Sequence, residues 1–266
     1  MELIMLGTGN AMVTRCYNTC FVLSSGEEYF LVDAGGGNGI FKQLEQAGVP
    51  FTGIREMFVT HAHTDHILGA IWVIRKIATL MSNDKYRRNF IVYGHNEVID
   101  ALRTFCRLTL PGKILKYIDE RIFWGEVKDG TRKEILGLPI CFFDILSTKM
   151  KQFGFRVLLP DGQVLVCLGD EPYNEACKKY VEQADWLLAE AFCLYRDREI
   201  FSPYEKHHST VKDACELAQT LHIPNLVLWH TEDKDMKHRQ GKYLAEGKQY
   251  YDGKLYIPED FDVLKF

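Results

Sequence analysis

Residues 56–66 read Glu56-Met-Phe-Val-Thr60-His61-Ala-His63-Thr-Asp65-His66. The opening residues form an apolar, β-prone run of the kind that makes a short buried strand. That strand leads directly into three imidazoles and a carboxylate. The whole chain of 266 residues holds only nine histidines, so three within six positions is a concentration that chance rarely produces. In extended geometry positions 61 and 63 share a face, whereas 65 and 66 diverge toward a second point as a helix begins. Imidazole and carboxylate are borderline-to-hard ligands suited to zinc, iron or manganese. The stretch predicts a strand, a metal-binding loop and then a long apolar helix over about 66–80.

Working outward, ELIMLG, NTCFVLSS and EEYFLVD read as strands, with a turn at Ser25-Gly26 and a break at Asp33-Ala-Gly-Gly-Gly37. Residues 38–47 carry apolar positions at helical spacing and stop at Gly48. Further on, 89–94 reads as a strand, 96–108 as a helix and 111–140 as several short strands and turns. Residues 154–169 read as a hairpin turning at Asp161-Gly162. Helices are expected at 172–183 and 210–221, a buried strand at 225–231, and closing strand structure in the tail. Strands alternate with helices in both halves, which suggests one α/β domain over 1–266 with two related halves meeting near residue 140.

Composition narrows the function classes. Hydrophobic residues make up 47% and charged residues 26%, as in an ordinary globular protein. No apolar run reaches the ~18–20 residues of a membrane-spanning helix, and the N-terminus has no basic leader. The formal charge of −4 argues against a broad electrostatic grip on nucleic acid, though not against a local basic mouth around an anionic substrate. Eight cysteines, none in a Cys-x-x-Cys pair, read as reduced thiols of a cytoplasmic protein.

His-x-His-x-Asp-His after a strand resembles the signature of the metallo-β-lactamase superfamily. The resemblance extends over nearly the whole chain. Leu6-Gly7-Thr8-Gly9 and Val32-Asp33-Ala34-Gly35 resemble that family's early strand ends, Gly169-Asp170 its bridging aspartate, and Trp229-His230-Thr231 its last histidine ligand. His208-Ser209-Thr210 and Ala184-Asp185-Trp-Leu-Leu-Ala-Glu190 resemble the ribonuclease Z branch. What the resemblance implies is a four-layer αββα sandwich with metals at one edge between the sheets. The implied metal ligands are His61, His63, Asp65, His66, Asp170 and His230. The implied catalytic residues are His208, Glu190 and Asp65, with His208 protonating a leaving group and Glu190 holding its ring. Asp33 is expected to hydrogen-bond behind the ligands.

One departure stands out. The family supplies a third histidine to the first metal from a strand end before the hairpin. Here that segment reads Phe143-Asp144-Ile145-Leu146-Ser147-Thr148-Lys149, with Leu146, Ser147 or Thr148 at the ligand position. His95 is the one candidate substitute, and it reads instead as a strand-end surface histidine. A complete second site (Asp65, His66, Asp170, His230) and a depleted first site follow, hence one or two divalent ions per chain. Zinc is the leading metal, with manganese or iron as alternatives.

The resulting expectation is a metal-dependent hydrolase, foremost a phosphodiesterase that uses a metal-activated hydroxide. Its partners would be a small phosphodiester or an RNA 3′ end, with no membrane involved and a homodimer expected by analogy. The Gly/Pro-rich arm by which the ribonuclease Z branch grips tRNA has no counterpart of that composition here. The alternatives are a thioester, lactone or lactam hydrolase on the same fold, and a catalytically degenerate metal-binding protein. Lys85-Tyr-Arg87-Arg88, Lys149 and Lys151 are the basic residues whose position at or away from the mouth sequence alone leaves open.

Overall fold

Three antiparallel strands, β1 (Glu2–Gly7), β2 (Cys20–Ser25) and β3 (Glu28–Val32), open the computed structural model, which describes residues Met1–Phe266. The chain then alternates: α1 (Ile40–Gln46), β4 (Ile54–Phe58), α2 (Thr64–Ser82), β5 (Phe90–Gly94), α3 (Asn96–Thr109), α4 (Gly112–Leu115) and β6 (Ile122–Glu126). Strands β3 to β6 run parallel to one another, as strand–helix–strand crossovers require. The second half begins with an antiparallel run, β7 (Thr131–Ile135), β8 (Leu138–Asp144), β9 (Phe153–Leu158) and β10 (Val164–Cys167). It continues with α5 (Lys178–Val181), β11 (Trp186–Glu190), α6 (Arg198–Phe201), α7 (Val211–Thr220), β12 (Asn225–Trp229), α8 (Met236–Gly247), β13 (Lys254–Tyr256) and β14 (Val263–Lys265).

Each sheet has seven strands, ordered β14-β1-β2-β3-β4-β5-β6 and β13-β12-β11-β10-β9-β8-β7. The period of two along the strands places the sheets between helix layers. Ile4, Leu6, Val22 and Leu31 pack against α1 to α4, while Leu3, Met5, Phe21 and Phe30 face the other sheet. In the second sheet Leu165, Leu188, Val227 and Trp229 face the first, whereas Val166, Leu187, Leu226 and Leu228 pack under α7 and α8. Three apolar interfaces make four layers, the αββα arrangement that the resemblance implied.

The differences from the sequence reading have local causes. The chain passes between sheets at 127–130, ahead of residue 140, because the first strand of the second sheet is the charged Thr131–Ile135, which has no apolar signature. The helix expected at 172–183 shrinks to a 3-10 turn at Glu175–Cys177 and the four-residue α5, since Pro172 and the Asn174 cap start it late. Helix α8 escapes pattern reading because Lys237 to Gln240 carry no apolar residue and Gly241 sits inside it. The tail closes both sheets: β13 pairs with β12, and β14 pairs with β1. All eight cysteines are free. No helix is long and apolar enough to cross a membrane.

Candidate metal centre

The parallel strands β3, β4, β10, β11 and β12 end on the same edge of the sandwich, and each hands a polar residue to one place. Strand β3 delivers Asp33, β4 leads to Thr60 and His61, β10 leads through Gly169 to Asp170, β11 ends at Glu190 and β12 leads to His230. His63 precedes α2, and Asp65 and His66 stand in its first turn, where a carboxylate also suits the helix dipole. Asp33, Gly169 and His230 adopt positive φ (55°, 75° and 54°), sharp strand exits that turn Asp33, Asp170 and His230 inward. The edge is stitched from both sheets: Thr231 donates its N–H to the Thr8 carbonyl, and Phe153 donates to the Thr60 carbonyl.

The geometry of the donors tests whether a cation fits. His66 Nε2 stands 3.3 Å from Asp65 Oδ2 and 3.6 Å from Asp170 Oδ2. His230 Nε2 stands 3.5 Å from Asp65 Oδ2 and 3.4 Å from Asp170 Oδ2. Four ligands around a tetrahedral zinc at ~2.1 Å lie roughly 3.4 Å from one another. His66 Nε2, His230 Nε2 and Asp170 Oδ1 are buried and have no hydrogen-bond partner, which a protein tolerates where an ion supplies one. The residues present fit a divalent metal.

The other ring nitrogens of His61 and His66 are fixed from behind. Asp33 Oδ1 accepts the Thr60 N–H, and Asp33 Oδ2 accepts both Thr60 Oγ1 and His66 Nδ1, all at 2.8 Å. Because Thr60 spends its hydroxyl proton on Asp33, His61 Nδ1 is the donor in its 2.9 Å contact with Thr60 Oγ1. Both His61 and His66 thereby turn Nε2 toward the centre.

The first site is arranged differently. His61 Nε2 lies 3.6 Å from Asp170 Oδ1 but only 2.8 Å from His63 Nδ1, a hydrogen-bond separation shorter than two ligands of one ion keep. His63 is also partly exposed, and it joins none of the three groups of donors that lie within 4.8 Å of one another: His61/His66/Asp170, Asp65/His66/His230 and Asp170/His208/His230.

Charge follows the same division. Burial holds His61 well below the usual imidazole range, against the opposing pull of Asp170 and with help from His66 and His63. At His66 burial is outweighed by Asp65 and Asp33, which hold the ring well above that range. At His230 burial is again outweighed, by Asp170, Asp65 and Glu190, and the ring is lifted to about 9. The carboxyls of Asp65 and Asp170 resist the upward push of burial and stay far below the usual range, held down by His66 and His230 for Asp65 and by His61 and His230 for Asp170. The carboxylates thus demand positive charge at the second site.

His208 flanks that site. Its Nδ1 lies 2.7 Å from Glu190 Oε2, its ring stacks on Phe192 at 4.7 Å, and Glu190 Oε1 accepts the Ser209 N–H at 2.7 Å. The residue capping α7 is Thr210, in a capping box with Asp213, rather than Ser209, whose hydroxyl is turned back to Glu190.

Leu146 is 48% exposed at positive φ and brings no donor to the centre. It lines a groove of about 440 Å³ with Thr148, Glu171, Tyr204, His207 and His208, which opens beside the metal residues. His95 is not on the surface, as the sequence reading had it. It is fully buried, its ring lies 5.4 Å from that of Phe153, and it stands outside every donor group. Its position at the end of the internal strand β5, under the 151–153 segment, covers it. Residues 85–88 lie beyond the far end of α2, whose 19 residues span about 28 Å. Arg87 and Arg88 pair there with Asp84 and Glu28, away from the mouth. Glu171 and Phe192 went unnoticed in the sequence; only the adjacency of Glu171 to Asp170 hinted at the former.

A family model described as anti-Pycsar protein Apyc1 matches residues 1–249. The chain belongs to the Apyc1 family. This Apyc1-family chain is 27% identical to the ribonuclease Z of Thermococcus sibiricus, with 100% of this chain and 96% of that protein aligned. Among solved structures, the metallo-β-lactamase fold protein YhfI from Bacillus subtilis superposes with a TM-score of 0.79 at 18% identity, over 99% of this chain and 98% of that one. The short form of human tRNase Z superposes with a TM-score of 0.76 at 20% identity, over 100% and 99%. The Apyc1-family chain therefore has the metallo-β-lactamase fold.

Proposed function

We propose that this protein is a metal-dependent phosphodiesterase acting on a small phosphodiester, cyclic ones included. His61, His63, Asp65, His66, Asp170 and His230 are the metal ligands in this reading. One ion is held firmly by Asp65, His66, Asp170 and His230, and a second is held weakly at His61 and His63. Zinc is the first choice for this nitrogen and oxygen set, with manganese or iron as alternatives. The observation that carries the reading is His208, held by Glu190 and set within 4.8 Å of the Asp170 and His230 donors. A proton donor held beside a metal-activated water is what cleavage of a bond with a poor alkoxide leaving group needs.

A divalent cation held here supplies a nucleophile from water near neutral pH and offsets charge that grows on a phosphoryl oxygen. The protein's own groups do the rest. Glu190 fixes the His208 ring by Nδ1, so Nε2 faces the substrate. As the new phosphorus–oxygen bond forms and the old one breaks, His208 passes its Nε2 proton to the departing alkoxide. Asp65 serves twice, as a ligand and as the carboxylate that orients the attacking water. Asp33 and Thr60 keep the ligand rings from turning.

The relationship to ribonuclease Z supports phosphodiester chemistry and keeps an RNA 3′ end as the second reading. The net charge of −4 and the carboxylate of Glu171 in the groove favour the smaller substrate. Hydrolysis of bis-p-nitrophenyl phosphate by the zinc-, manganese- or iron-loaded protein is the test, followed by competition between cyclic nucleotides and a precursor tRNA. Turnover with any of the metals is expected. A metal-loaded protein inert with all three overturns the reading in favour of a binding protein or of the thioester, lactone or lactam alternative. We also take the chain as a single cytoplasmic domain that forms a homodimer, which sedimentation checks.

A further inference from the structure

Residues 145–152, between β8 and β9, occupy the place where the resemblance leads one to expect a metal-ligating histidine. They are folded around one buried carboxylate. Glu171, 6% exposed, accepts Ser147 Oγ at 2.6 Å, the Thr148 N–H at 3.0 Å, Thr148 Oγ1 at 3.3 Å and Gln152 Nε2 at 3.5 Å. Ser147 Oγ in turn accepts the N–H groups of Lys149 and Met150 at 3.2 and 3.3 Å. This knot sends Leu146 outward and Lys149 inward. Lys149, with a side chain 16% exposed, places Nζ 3.9 Å from Glu171 Oε2 and 3.4 Å from His208 Nε2. Lys151 diverges, and its Nζ donates to Asn96 Oδ1 at 2.7 Å.

A lysine ammonium has three donors and no acceptor. Two of these donors face His208 and Glu171, both of which line the groove, and the third has no protein partner. The ammonium therefore stands beside two groove residues, next to Asp170 in sequence at Glu171 and close enough to His63 to act on its charge, where an anion held at His208 would meet it. A fixed positive charge there also opposes the arrival of a second divalent ion beside His61 and His63.

We propose that Lys149 is a substrate-binding cation of this centre, donating to a non-bridging oxygen of the phosphoryl group and taking over the charge that a fully liganded first metal site would provide. Lys149 neither makes nor breaks a bond. As it turns from His208 Nε2 to the phosphoryl oxygen, it frees the lone pair of that nitrogen to take up a proton from solvent, and this is the proton that His208 then passes to the departing alkoxide. The inference rests on the phosphodiester reading above and names a residue that recognises the substrate.

The test compares the full-length, metal-loaded protein with Lys149→Met and Lys149→Arg. Three readouts are taken: zinc stoichiometry by titration and elemental analysis, binding of inorganic phosphate, and turnover of bis-p-nitrophenyl phosphate. The native protein is expected to bind one zinc tightly and a second much more weakly. Lys149→Met should keep the first, tighten the second, weaken phosphate binding at least about tenfold and lower kcat roughly 10²-fold, with Lys149→Arg close to native. A Lys149→Met protein unchanged in second-ion affinity, phosphate binding and kcat overturns the inference. If the native protein turns over no phosphodiester at all, the functional reading falls by itself, and the zinc and phosphate titrations still decide the role of Lys149. Should Lys149→Met fail to fold, Lys149→Gln takes its place in the same comparison.

Discussion

Asp33 shows how one side chain sets the chemistry of two others. Its oxygens accept from the Thr60 N–H, Thr60 Oγ1 and His66 Nδ1, so both His61 and His66 are locked with Nε2 forward. Asparagine tolerates the positive φ of this position but sets an amide donor against one of these donors. Asp33→Asn is expected to weaken metal binding about 10- to 100-fold while leaving the fold intact, which competition against a chelator measures. His95 makes a different prediction. Burial, with Lys151 nearby, pushes its pKa from 6.5 down to about 4. Neutral in the folded state, it costs nothing above about pH 6.5; as pH falls from there toward 4 the unfolded chain binds a proton that the folded one refuses, and stability is lost. Acid unfolding followed by circular dichroism should therefore show His95→Leu losing less stability than the native protein between pH 6.5 and 4.

Helix α2 owes its position to a missing side chain. A Cβ on Gly69 would lie 1.8 Å from the Ala34 carbonyl oxygen, and the Gly69 N–H donates to Gly35 at 2.8 Å. That contact holds the first turn of α2 against the Asp33 strand exit, so the candidate ligands Asp65 and His66 meet their partners. In a free helix Gly→Ala would gain about 1 kcal/mol of propensity. Here the clash is with backbone that cannot turn aside, and overpacking of this kind costs about 1–3 kcal/mol or more. Gly69→Ala is expected to lower Tm and metal affinity together, a coupling that calorimetry with and without zinc detects.

At the scale of the whole molecule the centre joins two sheets. His61, Asp65 and His66 follow β4 of the first, while Asp170 and His230 follow β10 and β12 of the second. An ion bound between them would hold the halves together at one edge and stabilise the folded state by mass action. At free zinc a hundredfold above Kd the gain is about 2.7 kcal/mol, or roughly 5–10 °C in Tm for a chain of this size. Removing the metal with a chelator should lower Tm by that amount, and re-adding zinc should restore it. His230→Ala is expected to make Tm nearly independent of zinc.

Much of this was readable in the sequence, because strands and ligand loops leave short-range records. Apolar, β-prone runs announced β1, β2 and β12, and His61 to His66 announced a candidate metal loop, since composition and ligand type are local properties. Only the tertiary structure decided which donors meet. Glu190 and His208 are eighteen positions apart, and Asp33 and His66 thirty-three, so their pairing depends on how strands stack side by side. The absence of a histidine at Leu146 was plain from the residues, but the group that answers it was not. Lys149 reaches His208 because a carboxylate from the loop after β10 gathers residues 145–152 around itself, and the path of a loop is fixed by what it packs against.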